Sequence, residues 1–338
     1  MPREFRIGII GNGNIYNLAH RPAWRDIESA RVVATCDVVE ERAKKASKDF
    51  GIDRYYRDFR DLIKEDDIDV VDICTPSHTH AEISIRAMES GKHVICEKPI
   101  ATTLGDSKKM IEASRRNGVH LFIGHTRRFD DRWVQIKEVI DEGRIGEVVN
   151  VRRTERSWAG FPGDDWHWRR ENGGVVVDLG VHVVDLARWF LGEEPVEVFA
   201  KLKSIREEAR VYGCYDFGVM IIYFTGGKQA LLEVSWVHPK AYAPFYSSTE
   251  VIGTKGKIQH SDRDSNPAFI VDNNEVRFPM FSPLLSSMPY VFTKEFSHFL
   301  DCIENGSKPK ITMEDADMAL RVIVSAIKSS EEGRPVRI

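Results

Sequence analysis

Cysteine is scarce and scattered: Cys36, Cys74, Cys96, Cys214 and Cys302 are the five among 338 residues, and no Cys-x-x-Cys pair occurs. That removes the usual zinc spacing, and three of the five fall in apolar, strand-like runs. Buried thiols in a reducing cytoplasm explain them better than disulfides. No apolar stretch approaches the ~20 residues a membrane helix needs. "MPREFRIGII" sets charge inside a short apolar run, which reads as a strand rather than a cleavable signal. Repeats, low-complexity tracts and long Pro/Gly linkers are missing too. So is an excess of basic charge: the formal net charge is −4, and Arg127-Arg128 and Arg152-Arg153 are short clusters. A nucleic-acid-binding face would need a basic surface that this chain does not offer.

What is present is an ordinary globular composition, 42% hydrophobic and 30% charged, long enough for two cores. The first 124 residues alternate apolar runs with amphipathic stretches. "FRIGII", "RVVATC", Asp69 to Thr75, "HVIC" and "HLFIG" read as strands. Helices are expected from Asn14 to Arg25, over "VEERAKKASKDF", from Thr79 to Glu89 and from Leu104 to Arg116. Strands without apolar/polar alternation, separated by helices, predict a doubly wound parallel sheet, an α/β Rossmann domain over 1–124.

After His125 the rhythm changes. A helix from Trp133 to Glu142 precedes strands at Val148–Thr154, Val196–Lys203, Tyr215–Phe224 and Gln229–Val237, with Gly226-Gly227 as a hairpin turn. Residues 125–338 therefore read as an α+β domain with a large, mostly antiparallel open sheet. Its two C-terminal helices are candidates to pack back on the first domain.

Gly11-x-Gly13 follows the first strand and opens the first helix, where backbone can approach a pyrophosphate at a helix N-terminus. The third glycine is replaced by Tyr16, so the fingerprint is incomplete. Asp37 ends the second strand, near the distance at which an acid bonds the adenosine ribose; it could instead cap the next helix. An acid there favours NAD over NADP by repelling a 2′-phosphate. Asn14, Ile15, Thr75, Pro76, His80, Glu97, Lys98 and Arg127 complete the candidate cofactor-binding set. His78-x-His80 lacks an apparent third ligand, so no metal is expected.

Lys98 stands between Glu97 and Pro99 at the end of "HVICEKPIA", a rigid place for a lysine. A cis Lys98-Pro99 bond is anticipated more than for X-Pro bonds in general. Asp178, His182 and Asp185 follow at i, i+4 and i+7, aligned if one helix carries them. A histidine beside a carboxylate in apolar surroundings is a plausible proton acceptor; an N-cap and a satisfied core histidine are the alternatives.

Three blocks together resemble the glucose–fructose oxidoreductase and inositol dehydrogenase family (Gfo/Idh/MocA). They are "GIIGNGNI...H" (Gly11, Gly13, Ile15, His20), "ICTPSHTHAEISIRAMESGKHVICEKP" and "GGVVVDLGVHVVDLARWFLG". The resemblance implies NAD- or NADP-dependent oxidation of a secondary alcohol of a sugar or cyclitol, or the reverse reduction. It implies Lys98 as the lysine on the reacting hydroxyl, Asp178 as a substrate-orienting acid and His182 as the general base. It also implies a homodimer or homotetramer. Tyr16 and Val175 (in Gly173-Gly174-Val175) depart from the family pattern, the first expected to hold the first helix away from a diphosphate, the second to alter a turn. Arg156, Trp158, Trp168 and Arg169 are candidates to bind a sugar or polyol, with His238 and Tyr242 behind them. The alternatives are redox cleavage of a glycoside with retained NAD, and a non-catalytic dinucleotide sensor.

Overall fold

The computed structural model describes residues 3–163, 165–240, 245–262, 268–272, 275–277 and 287–338. The chain opens with β1 (Phe5–Ile10), α1 (Arg21–Asp26), β2 (Ala30–Cys36), α2 (Glu40–Asp49), β3 (Tyr55–Tyr56) and α3 (Phe59–Leu62). It continues with β4 (Val70–Ile73), α4 (His80–Glu89), β5 (His93–Glu97), α5 (Leu104–Asn117) and β6 (Leu121–Gly124). Next come α6 (Asp131–Asp141), β7 (Val148–Ser157), α7 (Gly174–Asp178), α8 (Gly180–Leu191), β8 (Pro195–Lys203) and α9 (Glu207–Tyr212). β9 (Phe217–Phe224), β10 (Gln229–Ser235), β11 (Phe245–Gly253), β12 (Gly256–Ser261), β13 (Ala268–Asp272) and β14 (Val276–Arg277) follow. The last elements are α10 (Met288–Asn305), α11 (Met313–Glu332) and β15 (Val336–Arg337).

Two compact units result. The first runs through Asp130 and takes in α10 and α11 up to Asp317; the second runs from Asp131 and includes α11 from Met318. The division falls a few residues beyond the 124/125 boundary read from the sequence.

In the first unit, six parallel strands lie in the order β3-β2-β1-β4-β5-β6. The inner strands β1, β4 and β5 are buried on both faces almost throughout, as runs without alternation require; Phe5, Ile7, Ile9, Val70 and Val94 are wholly inaccessible. The strand order reverses between β1 and β4, and at such a switch point the carboxyl edge forms a ligand crevice. α10 contributes Phe292, Phe296 and Phe299 to this core. Phe296 stacks on Trp24 and Phe299 on Phe122, each pair with ring centroids 4.5 Å apart.

The first helix differs from expectation. Tyr16–His20 form a π turn, closed by the Arg21 N–H on the Tyr16 carbonyl, before α1 begins with Pro22 in its first turn. Proline has no N–H to give to a helical ladder, and the wide turn ends as it enters. Tyr16 is buried among Phe5, Ile7 and Trp24, so its bulk goes into the core.

The second unit carries a nine-stranded sheet, β14-β13-β12-β11-β7-β10-β9-β8-β15. Every pairing is antiparallel except β10 with β7. Gly226 and Gly227, at φ 68° and 78°, turn the chain between β9 and β10. β11 to β15 went unnoticed in the sequence. α8 packs against β7 and β10, burying Val183, Val184, Leu186 and Ala187.

Candidate active site

At the first unit's carboxyl edge, β1 is followed by Gly11, whose φ is +92°. A Cβ on Gly11 would lie 2.7 Å from the Cys74 carbonyl, so the turn itself demands glycine there. Gly13 is different. A Cβ there would meet nothing within 4 Å, and its backbone needs no positive φ. The protein leaves that space open without using it, as a loop that admits a phosphate must.

Asp37 closes the loop from β2. One carboxylate oxygen accepts the Asn12 N–H at 2.7 Å and the other the Val39 N–H at 2.9 Å. Asp37 therefore braces the start of α2 as well as the glycine loop. Each oxygen retains acceptor capacity for a ribose hydroxyl. Asn12, which the sequence reading passed over, buries its side-chain amide with no hydrogen-bond partner. An open cradle beside an orphaned buried amide fits a dinucleotide phosphate.

Along the same edge, Thr75 and Pro76 follow β4 half-buried, and the Thr79 hydroxyl bonds the Thr75 hydroxyl and the Pro76 carbonyl, both at 2.7 Å. Asn14 is exposed; Ile15 and Arg127 are half-buried. Lys98 leaves the end of β5 half-buried, with the Lys98-Pro99 peptide cis.

Two candidates are corrected here. His80 is inaccessible, its ring nitrogens 2.8 Å from the Pro99 carbonyl and 2.9 Å from the Thr75 carbonyl. It ties the two edge loops together instead of presenting a side chain to a ligand. Burial lowers its pKa, and the two carbonyls oppose the shift. Glu97 turns inward as well: one oxygen is 3.1 Å from His20 Nε2, and the other accepts the Lys98 N–H at 3.1 Å.

His20 Nδ1 lies 2.9 and 3.1 Å from the Asp72 carboxylate oxygens and 3.1 Å from Cys74 Sγ. Among the described residues, His20, Asp72 and Cys74 are a group that could in principle hold a metal. Tetrahedral zinc would separate such donors by about 3.3–3.6 Å. The shorter spacings are those of direct hydrogen bonds. Trp24 adds an indole N–H to Asp72 at 2.7 Å.

In the second unit, Gly173 and Gly174, at φ 73° and 62°, lead into α7. A Cβ on Gly174 would come within 2.3 Å of the Tyr215 carbonyl, which accepts the Val175 N–H at 2.9 Å. Val175 is fully buried in the core. Asp178 and His182 do not share one uninterrupted helix: Asp178 ends α7, Leu179 intervenes at φ −91°, and His182 is in the first turn of α8. Asp178 is half-buried; His182 and Asp185 are buried.

The substrate candidates fare unevenly. Trp168 is 0% exposed; its indole N–H donates to the Pro162 carbonyl, and its ring meets Trp236 edge-on, so it is a core residue. Arg156 makes a two-pronged bond to Glu233 at 2.5 and 2.8 Å. Strand alternation puts it with Arg152 and Thr154, on the sheet face opposite the one α8 covers. Both side chains are thus engaged within the second unit. Trp158 is half-buried, bridged to Val237 and carrying the Lys240 ammonium 5.3 Å above its ring; Arg169 is exposed. His238 is half-buried, and Tyr242 lies outside the described residues. The covered face holds charges the sequence reading missed. Arg153 pairs with Glu155 at 2.9 Å, bonds the Thr249 hydroxyl at 2.5 Å and lies 4.4 Å from the Trp133 ring centre.

Among the described residues, no helix is long and apolar enough to cross a membrane. Comparison with known proteins agrees with this architecture. Residues 5–125 match the model of an oxidoreductase family with an NAD-binding Rossmann fold, and residues 133–259 that of the GFO/IDH/MocA C-terminal domain. The chain is 32% identical over 335 residues to myo-inositol 2-dehydrogenase of Thermotoga maritima, covering 98% of each. It is 27% identical over 339 residues to scyllo-inositol 2-dehydrogenase (NAD(+)) of Bacillus subtilis, covering 100% of this chain and 97% of that one. A crystal structure of a probable dehydrogenase from Thermotoga maritima superposes with a TM-score of 0.84 at 32% identity, covering 98% of each chain. With its NAD-binding Rossmann unit and open-sheet unit, this chain belongs to the GFO/IDH/MocA oxidoreductases.

Proposed function

We propose that the protein is an NAD-dependent dehydrogenase acting on a secondary hydroxyl of a cyclitol or sugar, with inositol-like cyclitols the first class to test. The observation that carries the reading is the first unit's carboxyl edge. There an unfilled glycine loop, the Asp37 carboxylate, Thr75-Pro76 and Lys98 follow β1, β2, β4 and β5. The similarity to inositol dehydrogenases supports the substrate class.

When bound, NAD supplies the acceptor for the hydride leaving the carbinol carbon. Gly11, Gly13 and Asn12 would hold the diphosphate and Asp37 the adenosine ribose, where its negative charge disfavours a 2′-phosphate. The side chains manage the proton and the developing charge. His182 takes the hydroxyl proton as general base, and Asp178 orients the substrate. The Lys98 ammonium steadies negative charge on the substrate oxygen. Trp158 and Arg169 remain the candidate sugar contacts from the aromatic loop.

Lys98→Ala and His182→Ala are each expected to lower turnover at least ~100-fold, while NAD affinity changes by less than about fivefold. Near-normal turnover in both variants, measured by NADH absorbance on the best substrate from a cyclitol and sugar screen, would overturn the assignment. Asp37→Ser should narrow the preference for NAD over NADP at least about tenfold in kcat/KM. An unchanged ratio removes the ribose role.

A further inference from the structure

Behind Lys98 runs a chain of charged groups that water does not reach. Asp72, His20 and Glu97 are 0%, 1% and 8% exposed. The His20 ring stands between the two acids, Nδ1 2.9 Å from Asp72 Oδ2 and Nε2 3.1 Å from Glu97 Oε1. Glu97 passes the contact on, its second oxygen accepting the Lys98 N–H at 3.1 Å. We propose that Asp72, His20 and Glu97 form a positioning relay that fixes the backbone and the electrostatic setting of Lys98. This rests on the hydroxyl-directed role given to Lys98 above.

A neutral imidazole has one N–H, yet both nitrogens of this ring face a carboxylate within hydrogen-bond distance. With both acids ionised, only the doubly protonated ring satisfies both. Burial is the largest influence and opposes that charge, but Asp72 and Cys74, by charge and hydrogen bond, together raise the His20 pKa well above its usual value. Burial likewise works against ionised Glu97, while the His20 bond and charge, with the Lys98 ammonium, hold its carboxyl below the usual range.

Among the described residues, titratable His80 also acts on both Glu97 and Lys98. β4 presents Asp72, and just past its end lies Cys74, whose thiol burial pushes up to about 12. β5 presents Glu97, and α1 supplies the Trp24 N–H to Asp72. α10 sets Phe292 and Phe296 against the ring, centroids 4.9 and 5.0 Å away. It also carries Glu295, wholly buried, which burial and the charge of Glu97 keep protonated. The relay thus holds two carboxylates and one imidazolium, a net negative charge behind the Lys98 ammonium. Within the relay, Glu97 is the member that touches Lys98.

The test is the alkaline limb of the pH profile of kcat/KM, which follows loss of the Lys98 proton. Glu97→Gln keeps the side-chain shape but removes a negative neighbour, so the limb should move to lower pH by about half a unit or more. His20→Gln removes a positive neighbour and should move it the other way. Each variant should also lose roughly tenfold in kcat, with NAD affinity from NADH fluorescence within about threefold of the parent. The double variant should be no slower than the worse single one, because the relay acts as a unit. A limb unmoved in a folded Glu97→Gln protein would overturn the proposal. So would a tenfold loss of NAD affinity with the limb in place, which marks direct cofactor contact. If Glu97→Gln does not fold, an unmoved limb in His20→Gln has the same force. Normal turnover in Lys98→Ala would instead remove the reading beneath; an inactive Lys98→Ala beside an unshifted Glu97→Gln profile removes only the relay.

Discussion

Asp72, His20 and Glu97 in the first unit and Arg153 and Glu155 in the second are buried to a similar degree, yet they end in different places. The first group starts mid-sheet and finishes at a strand end, on the backbone of Lys98. The second lies two residues apart within β7, beneath Trp133 of α6, and its described bonds stay on the sheet. Burying charge is costly in both, because desolvation must be matched by close partners. In one unit that charge adjoins a candidate catalytic lysine; in the other its described contacts are structural. Burial alone therefore does not mark a working group. The end of the hydrogen-bonded chain does.

The comparison can be broken in two further ways. Arg153→Met takes a buried cation away from the Glu155 carboxylate and should cost about 3–5 kcal/mol, lowering Tm by roughly 10 °C in scanning calorimetry. Replacing Glu155 by Leu as well should recover most of the loss, since an apolar pair of similar volume does without the desolvation. If Arg153→Met instead moved the pH profile as Glu97→Gln is expected to, the contrast between the units would fail.

A smaller effect is expected at Glu295, where both carboxyl oxygens are buried with no hydrogen-bond partner. Its folded pKa is raised, chiefly by burial, so the folded state holds a proton that the unfolded chain releases above about pH 4.5. The folded state is thus penalised increasingly as pH rises. Glu295→Met should raise Tm by about 2 °C or more at pH 8 and by less at pH 5. An equal gain at both values would show that packing, not ionisation, limits this position.

How much was legible follows from distance along the chain. The parallel strands were read correctly because runs without alternation depend on neighbours alone, and the positions of Gly11 after β1 and Asp37 after β2 follow from the same strand ends. The orphaned Asn12 amide carries no pattern at all. Period-two alternation separates Arg153 from Arg156 in the sequence, but which face a helix covers is decided by α8, some thirty residues on. Trp168 looked like a sugar-stacking residue in a polar loop. Its core partner Trp236 comes from the end of β10, far along the chain. The break at Leu179 was missed for a related reason: apolar spacing runs through it unchanged, while a Cβ on Gly180 would come within 2.7 Å of the Ile323 side chain on α11.

α10 has a consequence for how the molecule is made. Phe292, Phe296 and Phe299 complete the core around Trp24 and Phe122, although more than 150 residues separate them from β6. At synthesis rates of about 5–20 residues per second, the nascent first unit waits on the order of ten seconds or more for its last helix. During that interval the aromatic surface against which α10 will lie is open. A stop codon or protease cut that leaves only the N-terminal nucleotide-binding segment should therefore release a sticky, chaperone-dependent fragment, not a free-standing module.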